Sequence, residues 1–168
     1  MQAIRLLLFD VDGVLTDGTI LVHADGGESK SFNIRDGAGM VWAQRAGLTI
    51  GLLSARTAEA TAARAAQLGI TIVSQGNADK LAAYEKILAD NGLLDEQVGY
   101  MGDDLQDLPV LRRAGFSAAP ADAAPEVREA VQWVSPSGGG HGAARECIEH
   151  VLRVQGHWRA AVAAFFES

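Results

Sequence analysis

Residues 6–18, LLLFDVDGVLTDG, run four bulky apolar side chains straight into Asp10, then Asp12 and Gly13. Side chains two apart on an extended chain point to the same side. The pattern therefore puts two carboxylates together at the end of a buried run. Carboxylates that close repel, and one stays protonated unless a cation neutralises the pair. Mg²⁺, a hard ion that takes oxygen ligands, suits them, and Gly13 lets the chain turn away sharply. The same letters also make an ordinary surface turn, so the motif needs company.

Three more segments supply it. GDDLQD (102–107) follows the apolar VGYM, so Asp103 and Asp104 leave a second run, with Asp107 near the same side if a helix begins there. A second acidic cluster can complete a Mg²⁺ site with the first; the plainer reading is an acidic helix start, which the helix dipole favours. Ser54, in SAR (54–56), can donate to a phosphoryl oxygen beside a helix N-terminus, or simply cap that helix. Lys80 opens the helical stretch ADKLAAYEKILADNG and is one of three lysines among 14 basic residues. The dipole mildly disfavours a lysine there. A site holding carboxylates and a phosphate would favour it, whereas a solvated surface lysine asks for nothing.

The elements that must position these residues are legible as alternation. RLLLF (5–9), LTIGLL (48–53), ITIV (70–73), VGYM (98–101), FSAA (116–119) and VQWV (131–134) each read as a strand buried on both faces, with helical stretches between. Four of those stretches end on glycine, at 47, 69, 92 and 115, as helix C-termini often do. Strand–helix alternation predicts an α/β fold, a Rossmann-like doubly wound parallel sheet of about six strands. In such sheets ligands sit beyond the carboxyl ends of the strands, which is where the polar residues above fall. One segment breaks the alternation: residues 19–34 read as a β-hairpin around Asp25-Gly26-Gly27. The expected organisation is one domain over 1–168, with this hairpin, no lid domain, and an apolar tail at 157–168.

Composition narrows the class. A net charge of −7 argues against non-specific nucleic-acid binding. One cysteine, Cys147, reads as a small buried hydrophobe in a reducing compartment. No run approaches the ~18 apolar residues of a membrane helix, and no signal peptide is visible. The expectation is a soluble cytoplasmic protein with neither nucleic-acid nor membrane partner.

The ordered set DxD, Ser, Lys, GDDxxD resembles the haloacid dehalogenase superfamily of phosphohydrolases over nearly the whole chain. FDVDGVLTDG, RDGAGM, GDDLQDLPVL and GGGHGAARE with the following QGHW are similar to the 3-deoxy-D-manno-octulosonate 8-phosphate (KDO 8-phosphate) phosphatase family, which makes a lipopolysaccharide precursor. The resemblance implies a capless fold with a hairpin flap and a Mg²⁺-dependent phosphoric monoester hydrolase. Asp10 would be the nucleophile and Asp12 the proton donor and acceptor. Mg²⁺ would sit on Asp10, Asp12 (through its backbone carbonyl) and Asp103. Ser54 and Lys80 would hold phosphoryl oxygens, with Asp104 and Asp107 supporting them from behind. The phosphorylated sugar acid would meet Asp12, Asn33, Ile34, Arg35, Asp36, Gly37, Ser54, Arg56, Arg64 and Lys80; Arg35 and Arg64 read equally well as surface charge. The family more often has Gly where Ala55 stands. It also implies a homotetramer with hairpins packed centrally and tails over neighbouring sites, where Arg145 or the 138–142 glycine run would reach substrate. Two other readings share these residues: a nonulosonate 9-phosphate or other small sugar phosphatase, and a non-catalytic oligomerisation module.

Overall fold

The structure, a computed structural model, describes residues 1–165. Strand β1 (Leu6–Phe9) is buried along its whole length. Its side chains alternate: Leu7 and Phe9 enter one core and Leu6 and Leu8 the other. Each such burial contributes about 1.5–3 kcal/mol. Beside it lie β4 (Thr49–Leu53), β5 (Ile72–Ser74), β6 (Val98–Met101), β7 (Phe116–Ala119) and β8 (Trp133–Val134), all parallel, in the order β5-β4-β1-β6-β7-β8. The chain runs outward from β1 to one edge, then returns and runs to the other. The order reverses beside β1, and a crevice opens at the carboxyl ends there. The doubly wound parallel sheet is as expected.

Helices α1 (Ile34–Arg45), α2 (Glu59–Gln67) and α6 (Ala143–Val154) cover one face; α3 (Lys80–Asn91), α4 (Leu108–Leu111) and α5 (Pro125–Ala130) cover the other. Ala144, Cys147, Ile148, Val151 and Leu152 form the buried stripe of α6 at helical spacing. Burial pushes the Cys147 thiol up to about 12, in keeping with an inert core residue. Helix α3 starts where Asp79 Oδ1 accepts from Ala82 N at 3.0 Å and ends on Gly92 at φ +61°.

Two local expectations fail. Gly115 closes no helix, because α4 ends at Leu111; a side chain there would press within 2.6 Å of the Glu96 backbone. Asp12 shares no strand with Asp10, because β1 ends at Phe9. The chain instead coils once, with Leu15 and Thr16 N–H donating to Val11 O at 2.9 and 3.1 Å.

Residues 19–34 contain the hairpin, β2 (Leu21–Val22) antiparallel to β3 (Glu28–Ser29) around Gly26 at φ +86°. In the tail, α7 (Trp158–Val162) packs back on its own chain, Trp158 lying 6.2 Å from Trp42 between ring centroids. Residues 166–168 of the expected tail lie outside the described residues.

Candidate active site

The sheet register brings the acidic motifs together. Phe9 pairs with Leu52 on one side and Met101 on the other. Asp10 therefore stands level with Leu53 and Gly102, and Ser54 and Asp103 emerge one residue further on, flanking it. Asp10 N–H donates to Met101 O at 2.9 Å. Gly13 holds φ +90°, and any side chain on it would overlap the Asp103 carboxylate. A glycine is thus required for two separate chain segments to share this space.

Oxygens of Asp10, Asp103 and Asp107 lie within 4.8 Å of one another. Lys80, at the first turn of α3, reaches into them with its ammonium 2.8 Å from Asp10 Oδ2 and 2.6 Å from Asp107 Oδ1. Asp107 is saturated: Oδ1 also accepts from Tyr100 OH at 2.5 Å, and Oδ2 from the N–H groups of Asp103 and Asp104 at 3.1 and 3.2 Å. Asp103 Oδ1 and Asp12 Oδ2 are buried without a hydrogen-bond partner.

Charge follows from this crowding. Burial, with Asp107 beside it, raises Asp10 to about 6 against the pull of Lys80. Burial with Asp10 and Asp107 raises Asp103 to about 8. For Lys80, burial works downward, but Asp10 and Asp107 outweigh it and move the ammonium up. Burial next to Asp107 also raises Tyr100 well above the ordinary phenol. Carboxylates that resist ionisation, with a buried oxygen left unpaired, fit a hard divalent cation.

Around this centre, Ser54 is buried and its hydroxyl accepts from Arg56 N–H at 3.2 Å. Ala55 takes no positive φ, so alanine fits there without strain. Asp104 caps its own short turn through Leu105 N–H at 2.8 Å and stays exposed. In the loop before α1, Asn33 Oδ1 caps the helix through Arg35 N–H, and its Nδ2 donates to Gly140 O at 3.0 Å. Arg64 crosses Gly37 and lies 3.4 Å from Asn33 O. Ile34 and Arg35 are exposed. Asp36 is buried and turned away toward α6, where Oδ1 accepts from Arg145 N–H at 2.8 Å. Arg145 itself lies 4.1 Å above the Trp42 ring and bonds Glu149. The 138–142 run presses on the nucleophile turn: a side chain at Gly139 would overlap Gly13 O, and Gly140 N–H donates to Val14 O at 3.0 Å.

A family model of haloacid dehalogenase-like hydrolases matches residues 43–146. The 3-deoxy-D-manno-octulosonate 8-phosphate phosphatase KdsC of Escherichia coli K12 is 42% identical over 155 residues, 92% of this chain and 82% of that protein. The chain belongs to the haloacid dehalogenase-like hydrolases, within the KDO 8-phosphate phosphatase family. Solved structures agree. A probable YrbI family phosphatase from Pseudomonas syringae superposes with TM-score 0.97 at 46% identity, covering 99% of this chain and 95% of that one. The KDO 8-phosphate phosphatase of Moraxella catarrhalis superposes with TM-score 0.95 at 34% identity, covering 98% and 94%; it contains a magnesium ion, a phosphate ion and KDO.

Three further residues gather around the acidic centre and the Asp12 turn without standing out in the sequence. Tyr100 sits inside the apolar run VGYM, where nothing sets it apart from its strand neighbours. Lys30 and Glu28 belong to the hairpin, where Lys30 Nζ sits 2.6 Å from Asp12 Oδ1. The available signal was their two-residue spacing on an extended segment, which puts both on one side.

Proposed function

We propose that this protein hydrolyses 3-deoxy-D-manno-octulosonate 8-phosphate to KDO and inorganic phosphate, using Mg²⁺, in the cytoplasm. The observation that carries the reading is the meeting of Asp10, Asp103, Asp107 and Lys80 at the sheet's reversal point, in a chain 42% identical to a KDO 8-phosphate phosphatase.

Asp10, Asp103 and the backbone carbonyl of Asp12 would hold Mg²⁺, whose charge screens a carboxylate approaching a phosphate. Lys80 fixes Asp10 through Oδ2, and the attack falls to Oδ1. The Asp10–phosphorus bond forms as the bond to the sugar oxygen breaks, and Asp12 gives its proton to that oxygen. Asp12 then takes a proton from water, which attacks phosphorus, restores the Asp10 carboxylate and releases phosphate. Ser54 and Lys80 hold the non-bridging oxygens as charge shifts. Asp107 keeps Lys80 in place, and Asp104 shapes the turn beside it.

The loop Asn33–Gly37 with Arg56 and Arg64 meets the sugar. Guanidinium groups there suit its carboxylate, since their fork can bond both oxygens. Asp36 serves this loop by tying it to α6 rather than by reaching substrate. The working assembly is a homotetramer, which the exposed Leu21 and Val22 of the hairpin support.

Phosphate release with Mg²⁺ across a panel of phosphorylated sugar acids tests the reading. KDO 8-phosphate is turned over with the highest kcat/KM, and Asp10→Asn is inactive. Preference for a nonulosonate 9-phosphate would move the substrate, and equal release by Asp10→Asn would remove the nucleophile.

A further inference from the structure

The hairpin is mostly exposed from residue 21 to 27, yet it ends in a lysine whose side chain has no exposure at all. Burying so flexible a side chain is unfavourable without a specific partner. The partner is Asp12, 2.6 Å from the Lys30 ammonium. Glu28, two residues earlier on the same side, accepts from Arg56 Nη2 at 2.8 Å and stands 3.9 Å from Lys30 Nζ. Arg56 Nε lies 3.8 Å from Asp12 Oδ2, the buried oxygen left without a hydrogen bond. Four charges therefore alternate in sign around a ring drawn from three segments: the turn after β1, the hairpin, and the turn after β4. Among the described side-chain bonds of residues 20–31, those reaching the rest of the chain are the ones made by Lys30 and Glu28.

We propose that Lys30 is a positioning residue that pins the carboxylate of Asp12 and, with Glu28 and Arg56, makes the seating of the hairpin and the aiming of that carboxylate one event. The proposal rests on the assignment of Asp12 as proton donor and acceptor. Lys30 touches no reacting atom; it acts through Asp12. A group misplaced by about 1 Å loses on the order of 100-fold in rate, so pinning is worth a measurable factor.

The test uses the full-length protein and Lys30→Met, which keeps the stem and removes the ammonium. With KDO 8-phosphate and Mg²⁺, kcat falls about 100-fold while KM moves less than about threefold. Lys30→Arg, which restores the charge, recovers part of the loss. Without metal or substrate, amide hydrogen exchange over residues 20–31 speeds up in Lys30→Met. It also speeds up in Glu28→Gln, which spares the Asp12 contact and loses less kcat. Lys30→Met adds no further loss in an Asp12→Asn background. If Lys30→Met does not fold, Lys30→Arg and Glu28→Gln carry the same comparisons.

Wild-type kcat in Lys30→Met beside a strongly slowed but measurable Asp12→Asn overturns this proposal alone. So does a rise confined to KM, which would make Lys30 a substrate contact, or losses that multiply in the double variant. Full turnover by Asp12→Asn removes the assignment of Asp12 first, and this proposal with it.

Discussion

Asp10 and Asp103 are raised to about 6 and about 8 from the ordinary 3.8, burial being the main cause in each. Both folded values lie above the free one, so the ion-free folded chain keeps protons that the unfolded chain has released. The contribution of these two groups to stability is therefore fullest below about pH 4 and is lost as pH rises through 6 and 8. A divalent cation displaces the same protons. Isothermal titration should then find Mg²⁺ binding roughly tenfold tighter, or more, at pH 8 than at pH 6. Asp103→Asn should flatten that dependence, and equal affinity at both pH values would contradict the account. Lys80 gives a second prediction. Its ammonium sits between two carboxylates in a buried site, and Lys80→Met leaves them facing each other. Removing one partner of such a cluster costs about 3–5 kcal/mol, readable by urea unfolding at neutral pH without Mg²⁺. Asp10 and Asp103 were legible because each directly follows an apolar run, where the chain must leave the core. Asp36 was not legible as a cap. It serves α6, whose N-cap position 106 residues later is Gly142, which brings no side chain of its own to cap with, and no local pattern records that.

Among the elements, the turn after β1 is held from outside by the glycine run before α6. Gly139 abuts the Gly13 carbonyl so closely that any side chain would displace backbone, with nothing flexible to give way. Gly139→Ala should thus cut kcat by about 100-fold, although residue 139 touches no substrate in this account. Gly69→Ala is the control: φ is +68° there, which strains a side chain, but the space around it is open. It should cost about 1–2 kcal/mol and leave kcat unchanged. If Gly139→Ala kept full activity, the run would not be holding the turn. The six sheet strands were readable from their apolar runs, with edges displaced by up to two residues, at β5 and β8. The hairpin was readable from its turn residues. Its docking through Lys30 was not, because a charge on a short exposed segment carries no sign of the carboxylate that will bury it.

At the scale of the whole molecule, the sheet order makes the site. Strands β1 and β6 are neighbours although 88 residues lie between the end of one and the start of the other; Phe9 and Met101, 92 positions apart, pair in register only because the chain doubles back. No helix among the described residues is long and apolar enough to cross a membrane. Exposed Leu21, Val22 and Ile34 lie on or just after the hairpin, and light scattering should report a tetramer; a fully active monomer would end that part of the proposal. The proposed chemistry turns on a covalent bond between Asp10 and phosphorus. Acid-quenched single turnovers with KDO 8-phosphate and Mg²⁺, digested and weighed by mass spectrometry, test it directly. One phosphoryl group should appear on the peptide containing Asp10, formed only with the divalent ion and absent in Asp10→Asn. A phosphoryl group on any other residue, or turnover by Asp10→Asn at the wild-type rate, would contradict it.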